Sequence, residues 1–256
     1  MIDLHCHILP GLDDGAADVA ESIQMARLAS EDGIRTVVAT PHSLNGVYYN
    51  PVRVVVEKVR ELNEILKTEG IDLVIRPGSD MRVCSNMVER IANGDALTIN
   101  LNGRYVLVEF ASRVDAAEAR QELGELKHNH ITPIITHPER NPSFQEDLGL
   151  LYKLVETGCL VQVTGKSITA EMGVAAFACA RTLLEKRLVH VIASDAHSTG
   201  CRPPVLSQAV AAAAKILGDD GMARKMVSTW PAAILAGEPV TVPAPVPLGG
   251  KKRKWW

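Results

Sequence analysis

Short apolar runs rich in β-branched residues alternate with longer amphipathic stretches along almost the whole chain. Most of the short runs, such as RTVVAT, YVLVEF and VHVIAS, are continuously apolar, which is typical of parallel strands buried on both faces. The predicted strands are Ile2–His7, Ile34–Thr40, Ile71–Pro77, Tyr105–Phe110, Ile131–His137, Cys159–Thr164 and Leu188–Ser194. The predicted helices are Ala17–Glu31, Val52–Thr68, Asn86–Asn93, Ala116–His128, Gln145–Glu156, Ala170–Lys186, Pro204–Leu217 and Gly221–Val227. This order of elements predicts an α/β protein built on a parallel sheet.

Seven strand–helix units without an internal Pro-, Gly- or Ser-rich linker favour one domain, which we place at residues 1–237. We expect the strands to close, or nearly close, into a seven-stranded (βα)7 TIM-like barrel, and an open doubly wound sheet is the alternative. Gly33, Gly70 and Gly158 stand where helices should end. Pro51 and Pro204 fit the first turns of helices.

Residues 238–256 combine a Pro/Ala-rich segment, GEPVTVPAPVPLGG, with the basic end KKRKWW. We expect a flexible, solvated tail. The alternative is a tryptophan-tipped basic segment that touches anionic lipid or an acidic partner.

The charge balance is 27 Lys and Arg against 30 Asp and Glu, and four of the positive charges belong to the tail. The acidic body argues against duplex nucleic acid as a partner. No apolar run reaches the roughly 18 to 20 residues of a membrane span, so the chain is not expected to be an integral membrane protein. The N-terminus lacks the basic region and long apolar core of a signal peptide. We therefore expect a cytoplasmic protein.

The five cysteines are scattered and form no CxxC pair. We expect Cys159 and Cys179 to be buried free thiols. A nucleophilic role for Cys6 or Cys201 is the alternative, although CRPPVLS does not have the CxxxxxR spacing of a phosphate-binding cysteine loop.

Every predicted strand except the sixth is followed by residues that bind metals in proteins. In α/β barrels the chemistry collects at these carboxyl ends of the strands. His5 and His7 lie two residues apart, so both imidazoles face the same way, and Asp195 and His197 repeat this spacing after the last strand. In a closed barrel the last strand neighbours the first, so the two pairs should converge. The full set of candidates is His5, His7, His42, Asp80, Glu109, His137, Asp195 and His197.

The carboxylates of this set indicate bound cations. Asp80, Glu109 and Asp195 occupy positions where an isolated buried charge would be costly. Mixed nitrogen and oxygen ligands without thiolate suit Mn²⁺, Fe²⁺, Zn²⁺ or Mg²⁺ and do not choose among them. Hydrolases with two or three metal ions use such sets. Asp14, in GLDDG, is a further ligand or a water-activating base, whereas Asp13 is the better candidate for a local turn or helix cap.

Two arginines follow candidate ligands on the same rim. Arg140 lies in THPERNP and Arg202 in HSTGCRPP. The guanidinium fork matches phosphate oxygens, so both are candidate phosphate-binding residues, with a surface role as the alternative. We interpret His128, His130 and His190 as structural.

The segments MIDLHCHILPGLDDG, ATPH, VEF, ITHPER and ASDAHSTGCRPP together resemble the PHP superfamily (polymerase and histidinol phosphatase). More narrowly, they resemble its bacterial protein-tyrosine phosphatases of capsule and exopolysaccharide loci. The resemblance runs from Met1 to about residue 236. It implies a distorted seven-stranded barrel of the PHP type with three divalent ions, often manganese.

The resemblance also implies roles for single residues. The first ion would take His5, His7, Asp80 and Asp195, the second Asp80, Glu109 and His137, and the third Asp14, His42 and His197. Arg140 and Arg202 would hold the phosphate. The family usually has Glu where this chain has Asp80, and the shorter carboxylate reaches two metals less easily.

The implied substrate is the phosphotyrosine-containing tail of a membrane-associated bacterial tyrosine kinase that controls polysaccharide polymerisation and export. Direct attack by water on phosphorus would need no covalent phosphoenzyme. Tyr48 and Tyr49, in the loop after His42, could line the entrance for an aromatic substrate or serve in packing.

Other functions stay open at this point. A small-molecule phosphoesterase such as a histidinol-phosphate phosphatase would use the same fold, although the DDG segment and the RPP motif favour a protein phosphatase. A metal amidohydrolase usually has eight units and often a lysine at a metal-bridging strand end, which these strands do not supply. A non-catalytic regulator that binds phosphotyrosine is the alternative from another class. The sequence does not decide the oligomeric state.

Overall fold

The computed structural model describes residues 1–248, and the basic end KKRKWW lies outside them. The strands are β1 (Ile2–Cys6), β2 (Thr36–Ala39), β3 (His42–Ser43), β4 (Val74–Pro77), β5 (Asp80–Arg82), β6 (Tyr105–Glu109), β7 (Thr132–Thr136), β8 (Leu160–Thr164) and β9 (Val191–Ala193). The helices are α1 (Val19–Glu31), α2 (Val52–Thr68), α3 (Met87–Ala92), α4 (Ala116–His128), α5 (Pro142–Glu146), α6 (Leu148–Glu156), α7 (Gly165–Ile168), α8 (Val174–Glu185), α9 (Ser207–Leu217), α10 (Asp220–Lys225) and α11 (Thr229–Ala236). The predicted α/β class is confirmed.

All strand pairs in the two sheets are parallel. The smaller sheet has the order β1-β2-β4, and the larger has the order β3-β5-β6-β7-β8-β9. A parallel sheet requires crossover connections, and the helices provide them. The carboxyl ends of the strands therefore gather at one end of the molecule, and the amino ends at the other.

The predicted closed seven-stranded barrel is not confirmed, because the second and third predicted strands are each followed by a short additional strand that belongs to another sheet. The chain leaves β2 at Ala39 and resumes as β3 at His42, and it leaves β4 at Pro77 and resumes as β5 at Asp80. Pro41, between β2 and β3, has no amide hydrogen to donate to a ladder. The continuations pair with each other, His42 opposite Asp80, and belong to the larger sheet.

The two sheets meet where β1 passes the end of β9. The amide of Asp195 donates to the carbonyl of His5 at 2.8 Å, and the amide of His7 donates to the carbonyl of Ala196 at 2.8 Å. Cys6 and Ala196 form a single parallel bridge. The predicted convergence of the first and last strands is therefore present, although the sheets do not close.

Both faces of the larger sheet are buried, as the apolar strands predicted. One face packs against the helices, and the other faces a second, smaller core built from strands of both sheets, with the fully buried residues Leu4, Val38, Leu107, Ile134 and Val191. A sheet covered on both sides leaves only its two ends for chemistry.

Several predicted helix limits are wrong. The stretch Gln145–Glu156 is divided into α5 and α6 by Asp147, whose backbone is extended and whose carboxylate caps α6. The helix expected from Pro204 begins at Ser207, and the one expected from Ala170 begins at Val174, after Gly173 with φ 94°. Helix α11 was not predicted. The helix stops at Gly33, Gly70 and Gly158 are confirmed by their positive φ angles.

Residues 238–248 form no helix or strand, but they run along the body of the protein. The Tyr105 hydroxyl donates to the carbonyl of Glu238 at 2.6 Å. The amide of Val246 donates to the carbonyl of Lys186 at 2.9 Å. We call residues 238–248 the strap; the division of the chain at residue 237 stays a prediction.

No helix within residues 1–248 is long and apolar enough to cross a membrane.

Candidate metal centre

The candidate ligands come together at the carboxyl ends of the strands. Each lies in the last part of a strand, at the start of a continuation strand, or in the loop that follows. Most are buried: His5, His7, Asp80, His137, Asp195 and His197 are all at most 9% exposed. The residues predicted as ligands are thus one cluster in space.

The centre of the cluster is formed by His5, His7 and Asp80. The two Nε2 atoms lie 3.1 Å apart. The Nε2 atom of His5 lies 3.8 Å from the Oδ2 atom of Asp80. Ligand atoms of these three residues lie within 4.8 Å of one another.

His42 joins this centre to the outer part of the cluster. Its Nδ1 atom lies 3.3 Å from Asp80 Oδ2 and 3.9 Å from Glu109 Oε2, while its Nε2 atom lies 3.5 Å from Asp14 Oδ1. The Nε2 atom of His197 also lies 3.5 Å from Asp14 Oδ1. Two further groups of ligand atoms within 4.8 Å result: His7, Asp14, His42 and His197, and His42, Asp80 and Glu109.

His137 lies at the edge of the cluster next to Glu109, with 3.7 Å between its Nε2 atom and Glu109 Oε1. The resemblance implied this pair together with Asp80. Glu109 is also paired with Arg82, whose guanidinium lies 2.9 Å from Glu109 Oε2. Arg82 was not among the predicted site residues.

Asp195 is paired with both candidate phosphate-binding arginines. Its Oδ2 atom lies 2.8 Å from the Nη2 atom of Arg140 and 2.5 Å from the Nη2 atom of Arg202. Its Oδ1 atom lies 3.5 Å from His5 and 3.6 Å from His7. The two arginines are therefore at the cluster, and one carboxylate connects them with the histidines.

Residues outside the predicted ligand set orient the ligands. The Oδ2 atom of Asp13 accepts from His7 Nδ1 at 2.6 Å and from the amide of His42 at 2.9 Å. Gln162 Oε1 accepts from His5 Nδ1 at 3.0 Å. Thr136 donates to Asp80, and Thr164 donates to Asp195. Hydrogen bonds of this kind fix the tautomer and direction of metal-binding side chains.

The expected local role of Asp13 is also present, because its Oδ1 atom accepts from the amide of Gly15 at 3.0 Å. The cap of α1, however, is Asp18, which accepts from Glu21. A polar residue inside an otherwise apolar strand is the signal that could have identified Gln162, which is fully buried in LVQVT.

The backbone is constrained at three places in the site. His137 and Asp195 adopt left-handed φ angles of 35° and 50°. Such angles are uncommon for residues with a side chain and cluster at functional sites. Gly15 packs directly on His7, and a Cβ atom at Gly15 would lie 2.1 Å from the His7 carbonyl oxygen. The loop that carries Asp13 and Asp14 can approach β1 only with glycine there.

Charges in the cluster shift the pKa values of its members. Although burial opposes it, the carboxylates of Asp80 and Glu109 raise the pKa of His42 to about 9. Burial lowers the pKa of His137 to about 3, with the charge of Arg140 adding to it, and burial together with His7 lowers the pKa of His197 to about 3. Neutral His137 and His197 have free lone pairs. Electrostatic interactions with the His5 ring and with the Arg140 and Arg202 guanidinium groups hold the pKa of Asp195 well below its usual range in spite of burial.

Three buried polar atoms of the cluster make no hydrogen bond of suitable geometry within residues 1–248: His42 Nδ1, Asp80 Oδ2 and Glu109 Oε2, the last of which is held only by its ion pair with Arg82. Buried polar atoms are rarely left in this state. All three belong to one of the groups whose ligand atoms lie within 4.8 Å of one another. Their nitrogen and oxygen chemistry fits a divalent cation.

The other histidines lie outside the cluster. His128 and His130 are exposed on the far side of the protein, at the end of α4. His190 is buried just before β9. Among the aromatic candidates, Tyr48 lies parallel to the His42 ring with 6.0 Å between centroids, while the Tyr49 hydroxyl donates to Asp95 away from the cluster.

Three of the five cysteines are buried in positions that disfavour a reactive thiolate. All five are free, and Cys6, Cys159 and Cys179 are buried. Burial raises the pKa of Cys6 well above its ordinary value, and it raises the pKa of Cys159 to about 11 and of Cys179 to about 12. The expectation of buried free thiols at Cys159 and Cys179 is confirmed.

Comparison with known proteins places this arrangement among bacterial phosphatases. A family model described as capsular polysaccharide synthesis, CpsB/CapC, matches residues 1–236. The chain is 42% identical over 202 residues to the tyrosine-protein phosphatase YwqE of Bacillus subtilis, covering 79% of each chain. It is 31% identical over 223 residues to the tyrosine-protein phosphatase CpsB of Streptococcus pneumoniae, covering 85% of this chain and 91% of that one.

A solved structure is also similar over almost the whole chain. It comes from crystal structures of YwqE and CpsB, described as unique metal-dependent tyrosine phosphatases. The TM-score is 0.92 at 37% identity, and the match covers 98% of this chain and 100% of the other.

Proposed function

Because this chain belongs to the CpsB/CapC family of capsular polysaccharide synthesis, we propose that it is a metal-dependent protein-tyrosine phosphatase. The membership confirms the resemblance inferred from the sequence motifs. The observation that carries the proposal is the single cluster in which five imidazoles and four carboxylates meet two arginines. The relatives named as tyrosine-protein phosphatases support the same activity.

We propose that the cluster holds three divalent ions, as the resemblance implies, with manganese before iron, zinc or magnesium. His5, His7, Asp80 and Asp195 would hold the first, Asp80, Glu109 and His137 the second, and Asp14, His42 and His197 the third. Pairs of ligand atoms within each set lie 3.1 to 3.8 Å apart, among them His5 and His7 in the first, Glu109 and His137 in the second, and Asp14 with His42 and His197 in the third. The unpartnered buried atoms of His42, Asp80 and Glu109 support a cation between them.

The bound ions would supply a water of lowered pKa as the nucleophile and stabilise negative charge on phosphate. Arg140 and Arg202 bind the phosphoryl oxygens, because both guanidinium groups already converge on the Oδ2 atom of Asp195. A phosphate dianion that enters would compete with Asp195 for these donors. The Asp195 carboxylate would then interact mainly with His5 and His7, which its Oδ1 atom already faces.

The phenolate of phosphotyrosine is a fairly good leaving group, so the reaction does not require a general acid from the protein. Tyr48, parallel to His42 at the mouth of the cluster, is placed to contact the aromatic ring of the substrate. We propose as substrate the phosphotyrosine tail of a membrane-associated bacterial tyrosine kinase. This assignment rests on the family's link to capsular polysaccharide synthesis.

One experiment tests both the metal and the substrate. The purified protein is analysed for bound metal, and turnover is measured on a phosphotyrosine peptide, the matching phosphoserine peptide and histidinol phosphate. We expect turnover of the phosphotyrosine peptide to require metal and to exceed that of the other two at least tenfold. Preference for histidinol phosphate would indicate a small-molecule phosphoesterase. Tight binding of the phosphotyrosine peptide without turnover by the metal-loaded protein would indicate a regulator.

Alanine at His5 or at Asp195 tests the site itself. Each change should remove bound metal and turnover together, while circular dichroism should remain that of the folded protein. Full activity in either variant would contradict the assignment of this cluster as the catalytic centre.

A further inference from the structure

A cavity of about 370 Å³ lies at the opposite end of the sheet from the metal centre. Arg104 and Tyr105 at the start of β6, Thr132 at the start of β7, and Leu160 at the start of β8 line it. The volume falls in the range of about 300–1,000 Å³ that small-molecule sites occupy. Nothing in the proposed phosphatase reaction uses this cavity.

The strap forms one wall of the cavity, through residues between Pro239 and Pro245. Its two ends are attached to the body, at Tyr105 through the carbonyl of Glu238 and at Lys186 through the amide of Val246. Proline at positions 239, 243 and 245 restricts the backbone of this wall. The cavity is therefore formed before any ligand arrives.

The charged side chains on the cavity wall are all cationic. Arg104 and Lys127 line it, and within residues 1–248 no Asp or Glu does. Lys127 donates to the carbonyl of Gly158 at 3.2 Å, which leaves the other two ammonium hydrogens available. Two cations without a carboxylate are unusual in a protein whose formal net charge is −3. They make the cavity complementary to an anion.

A buried histidine lies between this cavity and a smaller neighbouring one of about 90 Å³. His190 lines the cavity and is only 2% exposed. Its Nδ1 atom accepts from the amide of Val161 at 2.9 Å, so the ring hydrogen lies on Nε2. That Nε2 atom has no hydrogen-bond partner among the residues described. Buried polar atoms in native proteins normally have a partner, and a ligand would supply one.

We propose that this cavity binds a small amphipathic anion, with a carboxylate or phosphate-type head held by Arg104 and Lys127. The Nε2–H group of His190 donates a hydrogen bond to it. The apolar side chains of Val155, Leu160 and Val242 contact its hydrocarbon body. The structure thus carries a second ligand site, remote from the metal centre and covered by the strap.

Calorimetric titration of the metal-loaded full chain tests this proposal with four probes. Hexanoate and hexylphosphonate carry the two kinds of head on the same body, hexan-1-ol has the body without charge, and inorganic phosphate has the charge without the body. We expect saturable binding of at least one of the two amphipathic anions, at least tenfold tighter than of hexan-1-ol or phosphate. Comparison of hexanoate with hexylphosphonate identifies the preferred head.

Variants locate the binding. Arg104→Gln and Lys127→Gln should each weaken binding about tenfold, because each removes one charge-assisted contact. His190→Asn keeps an acceptor near Val161 but removes the Nε2 donor, and it should weaken binding about two- to tenfold. Arg60→Gln and Lys67→Gln, two exposed positions on α2, are the matched controls and should change nothing. Turnover of phosphotyrosine should be unchanged in all five variants.

Three results would overturn the proposal. Absence of saturable binding by both amphipathic anions is the first. Unchanged affinity in the Arg104 and Lys127 variants is the second. The third is loss of binding in the His5→Ala variant, which would place the anion at the metal centre instead of in the cavity.

Discussion

The Nε2 atoms of His5 and His7 face each other at 3.1 Å. The Nδ1 atom of each ring is directed at an oxygen, that of Gln162 for His5 and that of Asp13 for His7. With both ring hydrogens on Nδ1, the two facing Nε2 atoms carry lone pairs, which repel unless a cation lies between or beside them. The hydrogen bonds behind the rings therefore prepare this pair for a metal ion.

Asp13 is expected to control metal affinity without touching the metal. In Asp13→Asn, one neutral amide oxygen replaces two charged oxygens that accept from His7, His42 and Gly15. Loss of such an orienting partner typically costs 10–100-fold in metal affinity, and we expect turnover at limiting metal to fall similarly. Excess metal should restore most of the activity.

The measurement for Asp13 is metal content after dialysis against graded chelator. Asp115→Asn, at the exposed cap of α4, is the matched control because asparagine also caps helices. An Asp13→Asn variant that keeps its metal as firmly as the control would contradict the orienting role.

Gly15 should tolerate no side chain. In Gly15→Ala, the new Cβ atom would lie 2.1 Å from the carbonyl oxygen and 2.5 Å from the Cβ atom of His7. The loop must move, so we expect a loss of about 1–3 kcal/mol in the free energy of unfolding and reduced metal content. Urea denaturation and metal analysis measure the two effects.

Gly124 provides the control for this substitution. It lies inside α4, and a Cβ atom at this position would meet nothing beyond its own helix within 4 Å. Gly124→Ala should therefore raise stability by about 0.5–1 kcal/mol and leave metal content unchanged. A Gly15→Ala variant that behaves like Gly124→Ala would show that the close approach to His7 is not needed.

Thiol chemistry should play no part in turnover. Cys6 lies between two candidate ligands, but it is fully buried and burial raises its pKa well above the ordinary value. Cys201 is exposed and free. We expect Cys6→Ala and Cys201→Ser to keep at least half of the activity on the phosphotyrosine peptide. Inactivity of either variant, folded and loaded with metal, would indicate a thiol mechanism.

The stability of the protein should fall in acid because of His190. Burial lowers the pKa of His190 from 6.5 to about 4. Between these pH values the unfolded chain binds a proton that the folded chain does not, so stability falls as the pH decreases from 6.5 to 4. The full effect is about 3 kcal/mol.

His190→Asn removes the group that takes up this proton. The slope of the free energy of unfolding against pH should therefore decrease by up to about 1.4 kcal/mol per pH unit, the value for one proton. Urea denaturation at several pH values between 4 and 7 measures the slope. His128→Asn, at the exposed end of α4, is the control and should keep the slope of the parent chain. Equal slopes for the parent chain and His190→Asn would contradict the role of His190.

The strand positions and the candidate ligands could be predicted because buried parallel strands leave a simple apolar pattern, and His5, Asp80 or Asp195 interrupts it at a fixed place. The convergence of these ligands in one cluster could also be predicted from the sequence. Carboxyl ends of parallel strands meet, whatever the loops do. The metal identity and the division of ligands among ions are not decided by this pattern.

Other features depend on contacts that the sequence pattern does not contain. The predicted strands end at Thr40 and Pro77, and the short strands β3 and β5 that follow Pro41 and Gly78 in the larger sheet were not predicted. Helix α11 contains Pro231, a residue that normally ends a helix, but here it lies in the first turn, where proline is tolerated. The partnership of Gln162 with His5 joins residues 157 positions apart.

The change of sheet between β2 and β3 and between β4 and β5 has a thermodynamic consequence. His5 belongs to the smaller sheet, while Asp80 and Glu109 belong to the larger one. An ion held by ligands from both would cross-link the sheets, so its binding free energy would contribute to the free energy of folding. Free metal at a hundred times its dissociation constant would add about 2.7 kcal/mol. Chelation would then lower the melting temperature as well as the turnover.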